Sequence, residues 1–282
     1  MEISLNTSKW YDRLWAALIF FTRLPFWRIY QPPKKAYQGV VEFWPLAGVM
    51  AGVLYAASMV FNYEMAIVLA IVSRLLLTGA LHEDGLADFF DGFGGGGRDR
   101  QRILDIMKDS HIGTYGVLAL IVYFALLFFT LHSLAPADAA LAILAVDPYA
   151  KMVSAQVIQM MPYARTEETA KNKTVYRKFS AAAGIGLAIQ GLLPIGLYLW
   201  WMQGRIDWST LIFLPCLTMY FLYLFIWRRL RGYTGDCCGA LFLLTELTAY
   251  LVVSYYLALN QMTTAVPLVA TMSIEPLAPM VS

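Results

Sequence analysis

LHEDGLADFFDGFGGGGRDRQRILDIMKDSHIGTYG, Leu81 to Gly116, follows directly on an apolar segment long enough to cross a bilayer and packs Glu83, Asp84, Asp88 and Asp91 into nine residues. Asp84, Asp88 and Asp91 sit at i, i+4 and i+7, so a helix would carry them on one face, a turn apart. Like charges at that spacing repel, and a divalent cation or a cationic ligand is their natural occupant. The competing reading is a solvated helix start whose acids complement the dipole. Gly85 and Gly92 beside the acids weigh against it, because a missing side chain lets a ligand or another backbone approach at some loss of helix propensity.

The rest of the chain explains where such a motif sits. Of 282 residues, 59% are apolar, 15% aromatic and only 14% charged, against about a quarter charged in ordinary globular domains. Seven apolar spans stand out, roughly 43–61, 65–81, 115–134, 137–161, 181–202, 209–227 and 239–259, each near the ~20 residues a spanning helix needs. Leu14 to Trp27 is interrupted by Arg23 and Pro25 and reads as a re-entrant or interfacial helix. The expected fold is an all-α polytopic membrane bundle, because backbone facing lipid must satisfy its own hydrogen bonds. A single transmembrane catalytic domain is expected over 1–260, with a poorly ordered, proline-bearing tail over 261–282. Met1 to Lys9 shows no cleavable signal, and Cys216, Cys237 and Cys238 make no disulfide framework.

Orientation comes from the basic residues. Six Lys/Arg precede the first span, four lie between Leu81 and Tyr115, five between Pro162 and Ser180, and three at Arg228, Arg229 and Arg231. The alternate loops carry Arg205 alone. By the positive-inside rule the N-terminus and the acidic motif are cytoplasmic and the C-terminus is outside.

Polar residues recur at the cytoplasmic ends of the spans. Carboxylates there suit Mg²⁺, or Mn²⁺ as a substitute, with room for substrate phosphates. Gly94 to Gly97 followed by Arg98 could cradle phosphate with backbone amides or serve as a plain hinge; it is no P-loop. Arg98 to Ser110 has the amphipathic pattern of a short surface helix. Lys108 could pair a diphosphate and Asp109 join the metal set, or the two could form an exposed ion pair. Lys151 lies about three turns inside a span and needs a counter-charge, a wet cavity or a route to the interface. Arg165 is placed to bind an anion, Asp236 stands at the foot of the last span between Gly235 and Gly239, and Glu246 is either a ligand or a structural acceptor. Arg74 is open to the same alternatives. His82, His111 and His132 are scattered, which speaks against zinc, and the short basic loops against nucleic acid.

LHEDGLADFFDGF, IMKDSHIGTYG, PYAR and TGDCCGA, in this order, with FFTRLPFW and Pro45 to Gly48 near the start, closely resemble the cobalamin synthase, or adenosylcobinamide-GDP ribazoletransferase, family over about Phe20 to Leu259. The resemblance implies an enzyme of the bacterial inner membrane. It would join adenosylcobinamide-GDP to α-ribazole or its 5′-phosphate with release of GMP and a requirement for Mg²⁺. It implies metal roles for Glu83, Asp84, Asp88 and Asp91, with Asp109 and Asp236 as further contributors, and a general base at Asp88 or Asp91. Arg98, Lys108, Lys151 and Arg165 would bind substrate, Lys108 close to the chemistry. Two departures are Lys151, where arginine is expected, and Leu243, where some relatives carry an acid. A CDP-alcohol phosphotransferase is the nearest other enzyme, but its alanine-arginine pair is missing after the first Asp-Gly, where Leu86, Ala87 and Asp88 follow. A cation-coupled transporter would want acids at midplane and an inverted repeat. Gly184, Gly186 and Gly191 could serve helix contacts within one chain or in a homo-oligomer.

Overall fold

The computed structural model describes residues 9–44, 49–165 and 176–272. Among them every regular element is helical apart from one isolated bridge between Tyr163 and Tyr233. The chain opens with α1 (Trp10–Phe21) and a 3-10 helix, Lys34–Phe43. It continues through α2 (Val49–Ser58), α3 (Tyr63–Thr78), α4 (Leu81–Gly95), α5 (Arg100–Lys108) and α6 (Thr114–His132). Then come α7 (Pro136–Ala155), α8 (Val157–Met160), α9 (Ala181–Met202), α10 (Trp208–Leu230) and α11 (Gly235–Met272). Pro45 to Gly48 of the family-like opening lie outside the described residues.

Among the described residues five helical stretches are long and apolar enough to cross a membrane: α6, α7 with α8, α9, α10 and α11. Seven were expected from hydropathy. Among the described residues of the run 43–61 the α-helix is the ten-residue α2, about 15 Å at 1.5 Å per residue, and the 16 residues of α3 reach about 24 Å, short of the ~30 Å of hydrocarbon. A sixth span exists only if α3 and α4 are counted together, and they are bent by 88°. The corner is built by Gly79 (φ 63) and Ala80 (φ 55), both left-handed, and the amides of both reach the Leu75 carbonyl. For Ala80, whose Cβ crowds the next carbonyl, that conformation costs about 1–2 kcal/mol. At the other end, α11 runs through Met272. Residues 273–282 lie outside the described residues.

Two turns meet at the end of the bundle opposite α4. The Tyr63 hydroxyl donates to Leu131 O at 2.7 Å, and His132 Nε2 lies 3.0 Å from Glu64. There too Ser133 and Ser254 share a hydrogen bond of 2.6 Å, and Asn260 donates to Arg205 O at 2.6 Å. Gly191 serves a contact within the chain, since a Cβ there would come 2.5 Å from Met152 Cβ, whereas Gly186 faces open space.

A buried ionic network holds the middle together. Arg74 on α3 donates to both oxygens of Glu246 on α11 at 3.1 and 2.9 Å, and to the Tyr123 hydroxyl on α6. The same guanidinium lies 3.2 Å from Glu83 on α4, while the Tyr250 hydroxyl donates to Glu246 at 3.0 Å. Lys151 does not reach Glu246 as its pair: its ammonium sits 2.6 Å from Asp147, one turn earlier, and over the Phe242 ring. Glu246 is 0% exposed and Glu83 3%, so these charges persist only because each meets an opposite charge.

Candidate active site

Two loops must come together before there is a site. Ala164 N donates to Tyr233 O at 2.7 Å and Tyr233 N to Pro162 O at 3.0 Å, so PYAR and RGYTGD run side by side. Gly232 allows this approach, because a Cβ there would lie 2.7 Å from Pro162 O. Thr234 then accepts from Cys237 N at 3.2 Å and caps α11. Arg100 fastens the pair to α5, donating to Leu230 O at 2.8 Å and Ala164 O at 2.7 Å.

Helix α4 crosses the start of α11 through facing glycines. A Cβ on Gly85 would lie 3.1 Å from Asp236 O, and one on Gly239 would lie 3.0 Å from His82 O. The glycines beside the acids thus serve helix crossing, and their neighbours Asp84 and Asp236 line one cleft of about 860 Å³, open mouth included. Arg165 lines it as well. One of its nitrogens donates to Leu104 O at 2.6 Å, while its buried Nε has no hydrogen-bond partner among the described residues. Phe20, Phe21, Trp44, Tyr163 and Tyr176 supply flat aromatic walls. Burial pushes the Tyr163 hydroxyl up to about 12 and raises that of Tyr176, so both stay protonated donors at neutral pH. The first turn of α11 opens onto the cleft at Gly235, where its dipole favours an anion.

The other expected site residues are distributed differently. Glu83 turns into the bundle toward Arg74. Asp88 is buried one turn beyond Asp84, outside the cleft lining. Asp91 accepts from the amides of Gly113 at 2.7 Å and Gly116 at 2.9 Å, and so anchors the start of α6. Asp109 is exposed with His111 as its partner at 2.7 Å, a bond that holds its carboxyl below the usual range. Arg98 and Lys108 are exposed away from the cleft, and Lys151 is buried on Asp147. No three His, Cys, Asp or Glu side chains among the described residues converge as a metal cage.

Several residues here were given no role in the site from the sequence. His82 Nε2 accepts from Trp44 Nε1 at 3.1 Å and its ring stacks on Trp44 and Phe21, forming the cleft floor. Glu42 receives Arg13 at 2.7 Å and Arg177 at 3.2 Å, which joins the N-terminal segment to the loop before α9. Tyr163 could have been found, as it lies inside PYAR. Glu42 and Trp44 carry no local signal.

A family model described as Cobalamin-5-phosphate synthase matches residues 13–254 of this chain. The adenosylcobinamide-GDP ribazoletransferase of Vibrio cholerae is 32% identical, over 86% of this chain and 92% of its own length. That of Vibrio parahaemolyticus is 35% identical over 85% and 91%, and that of Leptospira interrogans 31% identical over 86% and 94%. No solved structure matches.

Proposed function

This chain belongs to the cobalamin-5-phosphate synthase family and is a transferase of cobalamin biosynthesis, and from that premise we propose that its cleft joins adenosylcobinamide-GDP to α-ribazole or α-ribazole 5′-phosphate. A ribose hydroxyl of the acceptor bonds to the phosphorus nearer the corrinoid, the bond from that phosphorus to the bridging oxygen breaks, and GMP leaves with that oxygen. The observation that carries the reading is the meeting of Asp84, Asp236 and Arg165 in one aromatic-walled cleft.

The donor set fits Mg²⁺, with Mn²⁺ as a substitute. Asp84 and Asp236 offer hard oxygens from facing helices, and two carboxylates completed by phosphate and water are the usual Mg²⁺ arrangement, which needs no third protein acid. When bound, the ion neutralises diphosphate charge and eases departure of GMP. Arg165, whose side chain lines the cleft, holds a diphosphate oxygen. The aromatic walls stack the planar bases, and the Tyr163 and Tyr176 hydroxyls donate to the substrate. The hydroxyl proton passes to Asp84 or Asp236, the two carboxylates that line the cleft. Asp91 acts at one remove, fixing α6 against α4.

Purified protein given both substrates and Mg²⁺ should release GMP in step with a corrinoid carrying a closed nucleotide loop, and a chelator should stop it. No product with authentic substrates sinks the activity; turnover undiminished in chelator sinks the metal.

The site end of the bundle is assigned to the cytoplasm of a bacterial inner membrane. The loops at 96–113, 161–165 and 231–234 carry Arg98, Arg100, Arg102, Lys108, Arg165 and Arg231, whereas the turns at 59–62, 133–135 and 203–207 carry Arg205 alone. With five spans after Gly113 the C-terminus lies outside. A phosphatase fused after Ser282 should therefore be active, and a fluorescent protein fused there dark. The opposite pattern would invert the assignment.

A further inference from the structure

Beside the cleft lies a second chamber of about 1070 Å³, open mouth included, which shares Phe20, Leu81 and Asp84 with it. Arg23 forms its other side, with Tyr37 and Thr78. The Arg23 amide donates to Leu77 O at 2.6 Å, fixing the residue against the end of α3. Its side chain lies over the left-handed Gly79, where a Cβ would collide with the guanidinium. Among the described residues that guanidinium has neither a hydrogen-bond nor an ion-pair partner. Tyr37 adds a hydroxyl whose pKa is raised by burial, a neutral donor. A solvent-exposed guanidinium lying over Gly79, with no protein partner among the described residues and beside a neutral donor, offers a phosphate its fork of N–H groups.

Asp84 therefore stands where two chambers join, with Arg165 in one and Arg23 in the other. With the phosphorylated acceptor, the reaction above needs two anion sites of different kinds. One holds the diphosphate that is attacked; the other holds a phosphate monoester that passes through unchanged and must stay clear of the reacting phosphorus. We propose that the second chamber is the subsite for the 5′-phosphate of the acceptor, with Arg23 as the residue that selects the phosphorylated form. This rests on the functional reading above.

The test uses the full chain in detergent with saturating adenosylcobinamide-GDP and either α-ribazole 5′-phosphate or α-ribazole. Arg23→Gln should raise KM for the phosphorylated acceptor about ten- to a hundredfold, with kcat nearly unchanged. KM for unphosphorylated α-ribazole and for the donor should stay within about twofold, a built-in control for folding. Arg23→Lys, which keeps the charge without the fork, should fall between. An unchanged KM for α-ribazole 5′-phosphate, equal losses on both acceptors, or a shift in the donor's KM instead would overturn the assignment. Wild-type protein that makes no product with either acceptor would overturn the functional reading itself, a different result from an active enzyme indifferent to Arg23.

Discussion

Asp84→Asn is expected to lower turnover by at least about 10²–10³-fold, the range for losing one preorganised electrostatic contact to a transition state. The amide keeps the size of the carboxylate while removing its charge and its affinity for a divalent ion. Asp84 lines the cleft and both chambers converge on it, so the loss should fall on kcat. Elution from a sizing column in detergent and the thermal midpoint should stay near wild type. Asp109→Asn is the matching control, because Asp109 is 56% exposed and bonded to His111, and near-normal activity is expected. Normal turnover by Asp84→Asn would remove the metal role, and an inactive Asp109→Asn would mean that the cleft is not the whole site.

The second large effect is on stability. Arg74→Leu should destabilise the protein by about 3–5 kcal/mol, the usual loss when one member of a buried pair is removed. Glu246, 0% exposed, loses its partner at 2.9 Å, and Glu83 loses the cation at 3.2 Å. The damage should spread to α4 and so to Asp84. Glu246→Leu in the Arg74→Leu background should regain part of the loss, because the stranded carboxylate goes too; a double-mutant cycle measures the coupling. Thermal unfolding followed by tryptophan fluorescence reads both. An Arg74→Leu protein as stable as wild type would show that the network does not hold the bundle.

Much of this architecture was legible in residue order, but not all of it. Long apolar runs revealed the five spans from Thr114 onward, because a lipid-facing helix needs nothing beyond length and hydropathy. At 65–81 hydropathy does not register that Gly79 and Ala80 turn left-handed and swing α4 by 88° from α3. Spacing placed Asp84, Asp88 and Asp91 along one helix, yet each acid's partner is set by a neighbour remote in sequence. Gly113 and Gly116 take Asp91, Arg74 takes Glu83, and only Asp84 reaches the cleft. Lys108 and Asp109 drew attention through proximity in sequence, which an exposed helix end nullified. Arg23 registered as a break in an apolar run, since nothing local says that a glycine 56 residues later makes room for its side chain.

The facing of Asp84 by Asp236 has a consequence for biogenesis. One acid emerges from the ribosome early and the other belongs to the last helix to be inserted, while synthesis runs from the N-terminus. A nascent or truncated chain lacking α11 has Asp84 without Asp236 and no mate for the PYAR loop, so on the proposed reading it would have only half of the metal site and no closed cleft. On that reading competence would arrive only when α11 docks against α4, so that assembly of the bundle would itself license the chemistry.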